Sequence, residues 1–334
     1  MDQENRYAIL KARVEENGLL QKQPMFYILC TLLIASFWIL GISMLLNGTT
    51  FFSLLAATLT LAFASTQTAL FSHDVGHEQV TTHAYAWIMD TIISLTLGLS
   101  VSWWKQKHNL HHAYPNREGV DPDIMIPLLS FFKKQNKEKS GLARITAAYQ
   151  HILFLPMLLF EIWHMRIAAI RYLITRRDKE KNSKNIRECA LIIFHLMAYM
   201  ALWFLLVSPF YALLFMFIHH GVMGVYLGLV FATNHKGMPI ISESSDFVAM
   251  QVLTARNVRG GRLLTFVFGG LNFQIEHHLF PKAPRNRLRR IQKIVKIFCA
   301  ERNIPYCEMN LLASYRQIYL YLKNVSAPLR SKNR

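Results

Sequence analysis

The chain reads as an all-α integral membrane protein with four transmembrane helices in two hairpins, additional interfacial helices, and a histidine-rich cap on one face. Three observations lead there. The 334 residues are 52% hydrophobic and 12% aromatic with a mean hydropathy of +0.21, richer in apolar side chains than a soluble fold needs. The long apolar runs come in two pairs, 25–46 with 51–71 and 190–207 with 211–232, each pair joined by a short turn without charge. Finally, the polar residues gather into compact histidine-bearing knots rather than spreading through the apolar runs.

Residues 1–24 are polar, with Asp2, Glu4, Arg6, Lys11, Arg13, Glu15, Glu16 and Lys22, and lack the short apolar core and small-residue cleavage site of a signal peptide. The run 25–46 is long enough to cross a hydrocarbon core, which takes about 20 helical residues. After Asn47-Gly48-Thr49-Thr50 the run 51–71 returns and delivers its C-terminal end into the first knot, His73-Asp74-Val75-Gly76-His77. The stretch 87–104, interrupted by Asp90, Ser94, Ser100 and Ser102, leads into the second knot, His108-Asn109-Leu110-His111-His112. If both knots serve one site they lie on one side of the membrane, so this stretch lies in the interface or re-enters. Residues 150–163, with Pro156 at their middle and charged neighbours on both sides, are read as interfacial.

From 166 to 187 the chain is basic, including Arg171, Arg176, Arg177, Lys179, Lys181, Lys184 and Arg187, as expected of a loop touching anionic headgroups. The second pair of runs turns at Ser208-Pro209-Phe210. Both short turns lack Lys and Arg while the other connecting segments carry several, so the positive-inside rule puts the knots and both termini in the cytoplasm. Past Pro281 a basic amphipathic pattern around Ile291, Ile294, Val295 and Phe298 is expected to lie on the membrane face of the cap. The expected division is therefore a cytoplasmic segment 1–24, a membrane domain 25–285 and a helical tail 286–334.

The net charge of +17 comes with no nucleic-acid-binding motif and fits basic loops beside anionic lipid, so nucleic acid is not an expected partner. Cys30, Cys189, Cys299 and Cys307 are scattered and form no paired-thiolate metal site.

The chemistry rests on histidine spacing. Imidazoles at i and i+4, or at i, i+3 and i+4, share one helix face and can serve one centre. His73 and His77 have the first spacing, His108, His111 and His112 the second, and Gln274, His277 and His278 repeat the second. Seven histidines exceed what one ion needs, and imidazole with few thiolates suits Fe, Zn, Cu or Ni, so the residues point to a dinuclear transition-metal site. Asp74, Glu78, Asp121, Asp123 and Glu276 are close enough in sequence to accept the second ring N–H of such ligands. His83, His151, His164 and His195 stand alone and are read as packing or hydrogen-bonding residues. His219-His220 lies in mid-span and is read as a tunnel or helix contact.

These knots resemble the three histidine boxes of the membrane fatty acid desaturase family. Similarity continues through Trp103-Trp104, Asn116, Asp121-Pro122-Asp123, Asn234-His235-Lys236-Gly237, Asn257-Val258-Arg259-Gly260-Gly261 and Leu279-Phe280-Pro281, over roughly residues 50–285. The Gln that opens the third box is the variant of the front-end and related bacterial acyl-CoA desaturase branch. The resemblance implies two non-haem Fe ions, O2, and removal of two hydrogens from an acyl chain carried on CoA or lipid. Members with this Gln often carry a fused cytochrome b5 domain, whose His-Pro-Gly-Gly motif is absent here, so the expected electron donor is a separate ferredoxin, cytochrome b5 or flavoprotein reductase. The expected location is the inner membrane of a bacterium or the endoplasmic reticulum of a eukaryote. His235 follows the last crossing at box level and stands in the family's extra Asn- and His-bearing motif, so it is expected to be an eighth histidine ligand, with Asn234 supporting it. Gln274 is expected to offer its carbonyl oxygen to iron directly or through water. The same scaffold also carries hydroxylases, ketolases and alkane monooxygenases, and a non-catalytic metal-binding protein is the remote alternative.

Overall fold

The computed structural model describes residues 3–80, 83–175, 182–242 and 246–331. Arg176, Arg177, Lys179 and Lys181 of the expected basic loop lie outside the described residues. The chain forms two compact units, each discontinuous in sequence: residues 22–106 with 157–228, and residues 1–21 with 107–156 and 229–334.

The first of these is the membrane unit. Its helices are α2 (Pro24–Leu46), α3 (Phe51–Gly76), α4 (His83–Leu97), α5 (Val101–Ala113), α8 (Glu161–Thr175), α9 (Asn182–Leu206) and α10 (Pro209–His235), the last turns of α5 and α10 passing into the other unit. Among the described residues α2, α3, α9 and α10 are the four helices long and apolar enough to cross a bilayer. Helix starts follow local chemistry. Pro24 and Pro209 sit where a missing N–H costs nothing, and Thr50 caps α3, its Oγ1 accepting from the Ser53 amide at 3.2 Å while Ser53 Oγ accepts from the Thr50 amide at 3.0 Å. The helix α3 runs beyond the expected 71 and takes His73 into its last turn.

Leu45, Leu54, Ala57, Leu61, Trp203, Ala212 and Phe215 pack α2, α3, α9 and α10 together. Outside that core Ile39 is 70% and Leu205 84% exposed, a surface suited to acyl chains and not to water. The stretch 87–104 is not one helix but α4 and α5, broken at Gly98, and α7 (Gln150–Leu158) meets α8 at a bend of 76°.

The second unit contains α1 (Gln3–Glu16), α6 (Gly141–Ala148), α11 (Phe247–Leu253), α12 (Arg262–Val267), α13 (Gln274–Leu279), α14 (Leu288–Glu301), α15 (Leu311–Val325) and α16 (Ala327–Ser331). A short parallel pair, β1 (Asn257–Arg259) and β2 (Glu308–Asn310), aligns Asn257 with Glu308. The amphipathic helix α14 differs from its expected place. Ile291, Val295 and Phe298 are fully buried against Leu10 and Val14 of α1 and Ile275 and Leu279 of α13, so its apolar face is covered by protein and not by membrane. Polar clasps fix the same packing: Arg13 donates to Glu301 at 3.0 Å, and Tyr7 to the Leu279 carbonyl at 3.1 Å. Helix α14 thus forms the floor beneath the third histidine knot.

Candidate metal centre

In the second unit the last turn of α5, the end of α10 and the whole of α13 bring seven of the expected residues together. Two groups of ring nitrogens form. In one, His235 Nε2 lies 3.3 Å from His111 Nε2, 3.1 Å from His278 Nε2 and 3.0 Å from the side-chain amide of Gln274. In the other, His112 Nε2 lies 3.0 Å from His108 Nε2 and 3.1 Å from His277 Nε2.

The spacing explains the division. On α5 the i and i+4 pair, His108 and His112, serves one group while His111 at i+3 serves the other. On α13 the roles reverse: Gln274 and His278 join His111, and His277 joins His108 and His112. Neighbouring histidines therefore diverge, with the His111 and His112 rings at 87° and the His277 and His278 rings at 86°.

The outer ring nitrogens decide the tautomers. Nδ1 of His235 is 3.0 Å from the Thr254 carbonyl, which can only accept, so Nδ1 carries the hydrogen. Gln251 donates its amide to the His112 carbonyl at 2.8 Å, which turns Oε1 toward His278 Nδ1 at 2.8 Å. His111 Nδ1 lies 3.0 Å from both Asp121 oxygens. All three rings then aim Nε2 lone pairs at one point. A proton could bridge two such nitrogens but not three, whereas a cation accepts all of them. The donor set fits a transition metal on this ground. The Gln274 Oε1 is buried without a hydrogen-bond partner among the described residues, an oxygen suited to a cation or a bound water.

Supporting contacts hold these rings still. Asp121 also accepts from the amides of Asn116 at 2.7 Å and Asp123 at 2.9 Å. Asn116 donates to the His235 carbonyl at 3.1 Å and the Pro239 carbonyl at 3.2 Å, joining the loop after the second box to the end of α10. Asp123 pairs with Lys107, lies 3.6 Å from His111 Nδ1, and takes Lys236 Nζ on its carbonyl at 2.6 Å. Fully buried Arg256 caps the C-terminal end of α10, bonding the Thr233 and Lys236 carbonyls with its guanidinium and the Asn234 carbonyl with its amide at 2.9 Å. The Asn234 side chain itself takes a 3.3 Å bond from Thr233 and reaches no histidine.

Glu276 also departs from expectation. Its carboxyl takes hydrogen bonds from Asn257 at 2.6 Å and Tyr306 at 2.7 Å instead of a histidine, because at i−1 to His277 it is turned about 100° away around α13. Burial pushes its pKa up to about 7 against the lowering pull of Tyr306 and Asn257. Asn257 also accepts from the Ile275 amide at 2.9 Å, tying α13 to β1.

Gln251 and Thr254 escaped the sequence reading, and Asn257 entered it only within the family similarity, without a role. For Gln251 there was a signal, a lone polar residue within the apolar Phe247–Leu253.

His73 and His77 belong to the membrane unit. Both are buried at the end of α3 with ring centroids 4.7 Å apart, and Trp104 meets them edge-on at 5.7 and 6.2 Å. His73 Nδ1 is 3.5 Å from Asp74 Oδ1, and Glu78 closes the helix in a left-handed conformation at φ 60°. His219 bonds Ser65 at 3.0 Å and Tyr199 at 2.7 Å.

Residues 49–310 match the family model described as Fatty acid desaturase. The chain is 29% identical over 329 residues to the Acyl-lipid (9-3)-desaturase of Physcomitrium patens, covering 95% of this chain and 62% of that one. It is 31% identical over 296 residues to the Delta(6)-fatty-acid desaturase fat-3 of Caenorhabditis elegans, covering 81% and 65%. With the Delta(8)-fatty-acid desaturase of Euglena gracilis it shares 32% over 250 residues, covering 70% and 59%. The chain thus spans about six-tenths of the length of these curated relatives.

Proposed function

The chain belongs to the fatty acid desaturase family, and from that premise we propose that it is an O2-dependent di-iron fatty acyl desaturase. The observation that carries the reading is the pair of Nε2 groups, His111, His235 and His278 beside Gln274, and His108, His112 and His277. Each group would hold one iron, and the family motif counts His73 and His77 among the ligands. When bound, the iron pair supplies the means by which O2 withdraws two hydrogens from an unactivated acyl chain. The reaction balances as two adjacent methylenes, O2, two electrons and two protons giving a cis double bond and two waters.

The protein's own part is orientation and exclusion. Asp121, Thr254 and Gln251 hold the Nδ1 hydrogens so that each Nε2 faces its metal. Near-complete burial of His111, His235, His277 and His278 keeps water from the oxidising site. The acyl chain enters as a CoA or lipid ester, and the two electrons come from a ferredoxin, cytochrome b5 or flavoprotein reductase. The relatives' names place their double bonds near the carboxyl end, at Delta(6) and Delta(8), and the same end is proposed here. The site and both termini face the cytoplasm by the charge asymmetry of the loops.

Expression in a host lacking the activity, followed by analysis of fatty acid methyl esters, tests the reading. A new monounsaturated step near the carboxyl end is expected. A hydroxylated product in its place would move the chain to the oxygenase branch of the scaffold, and unchanged lipids with two irons bound would overturn the reading.

A further inference from the structure

The break between α4 and α5 lies inside the membrane unit, where every backbone group without a partner is costly. Its position follows from α9. His195 and Glu188, seven residues apart and so on one face about 10 Å from each other along the axis, meet the two ends of the break separately. His195 Nδ1 donates to the Leu95 carbonyl at 2.8 Å, and its Nε2 accepts from Arg166 at 3.1 Å. Arg166 also donates to the Leu97 carbonyl at 3.0 Å and to His220 at 2.9 Å. The open carbonyl end of α4 therefore carries a cation. At the other end, Glu188 accepts from the Ser102 amide at 3.2 Å and from the hydroxyls of Ser100 and Ser102 at 2.5 Å each, while Ser100 Oγ accepts from the Trp103 amide at 3.0 Å. The open amide end of α5 carries an anion.

Both charges oppose the local helix dipole, the arrangement that stabilises helix ends most where the dielectric is low. Further from the break Lys105, seven residues after Gly98, spans both oxygens of Asp90, seven residues before Leu97, at 3.1 Å, so an ion pair joins the two helices across it. Gly98 permits the turn: it has φ +63°, and a Cβ there would lie 2.3 Å from the His195 ring.

The helix that Glu188 caps is the one that carries His108, His111 and His112, as a single uninterrupted run Val101–Ala113. We propose that Glu188, with Arg166 and His195 as its counterpart across the break, is a positioning residue for the second histidine box: it fixes the height and rotation of α5 and so the direction of three imidazoles six to ten residues away. The proposal rests on the metal-centre reading above, and it assigns a task to a buried acid and a buried arginine, Glu188 at 3% and Arg166 at 7% exposure, that the reaction does not use.

The test uses the full chain in detergent micelles, with E188L, E188Q, R166M and R166K beside wild type. Two readouts are taken: cobalt(II) affinity with its ligand-field spectrum, and amide hydrogen exchange along α5. E188L and R166M should weaken cobalt binding about tenfold, change the spectrum, and speed exchange about tenfold through residues 105–113 as well as at 101–104, the effect of losing a charge-assisted hydrogen bond. E188Q and R166K keep part of the hydrogen bonding but lose the charge or the planar fork, so both should fall measurably between wild type and the leucine and methionine variants in affinity and exchange. Wild-type cobalt affinity and spectrum in E188L and R166M, with only a lowered melting temperature, would overturn the proposal. So would faster exchange confined to 101–104. A wild-type chain that binds no cobalt would sink the metal-centre reading instead, while the exchange of 105–113 still decides whether Glu188 holds α5. If the leucine and methionine variants fail to fold, E188Q and R166K carry the same comparison, and identity of both with wild type in affinity, spectrum and exchange overturns it.

Discussion

Gln251 is neither an acid nor an expected metal ligand, yet replacing it by Leu should cost the site most of one metal. Gln251 Oε1 is the acceptor for His278 Nδ1 at 2.8 Å, and its amide is fixed by the His112 carbonyl at 2.8 Å. Without that acceptor His278 is free to take the other tautomer, placing hydrogen on the nitrogen that should face the ion. Loss of such an outer partner typically lowers metal affinity about 10- to 100-fold, which corresponds to about 1.4–2.7 kcal/mol. Fully buried Gln251 leaves no room for water to replace it. The Leu side chain is near in volume, so packing changes little and the effect isolates the pair of hydrogen bonds. The assay is chelator competition on purified chain, read as metal retained per chain. One equivalent should be lost at a chelator strength that leaves the other, held by His108, His112 and His277, in place. Gln251→Glu, which keeps an acceptor facing His278, should retain both. Retention of both metals by the Leu variant to within twofold of wild type would refute the tautomer argument.

The His235→Ala chain should lose the same equivalent outright, together with product formation, because it removes the ring common to the 3.3 and 3.1 Å contacts; metal analysis showing two ions per chain would return His235 to a structural role. Gly76→Ala places a Cβ 2.1 Å from the Trp104 ring, which must leave its edge-on contact with His73 and His77, so activity should fall well before stability does, as judged by turnover against melting temperature. Phe298→Ala empties the fully buried face of α14 and should destabilise the second unit by about 3–5 kcal/mol, visible as a shift of the denaturation midpoint; a shift of under 1 kcal/mol would mean that the helix is held otherwise.

The parts that sequence makes legible here are those governed by local period. The four spans and the helical spacing of the histidines depend on residues within one or two turns, and composition at that range is enough to read them. His235 could be placed at box level by counting crossings alone. Contacts closed by the tertiary fold were out of reach. Thr254 acts through its carbonyl, which every residue possesses, and Asn257 acts through a three-residue strand paired with one that begins about 50 residues later. The face of α14 shows the limit from another side: amphipathicity says that an apolar surface will be covered, and Leu10 and Val14 cover it here where lipid was expected. Glu276 was misjudged because nearness along the chain was taken for nearness in space, although adjacent helical residues point about 100° apart.

The interleaving of the boxes has a consequence for how such a site tolerates insertions and deletions. Since His111 and His112 go to different groups, as do His277 and His278, neither group has α5 or α13 to itself. Adding a residue between His108 and His111 would turn the downstream rings by about 100°, putting His111 where His112 had been and His112 in neither place. Both ions would be evicted by one change of length. Substitutions can weaken the two positions separately, but indels act on them jointly, so within these boxes a lineage can alter residue types one at a time and has no single-step route to a different spacing.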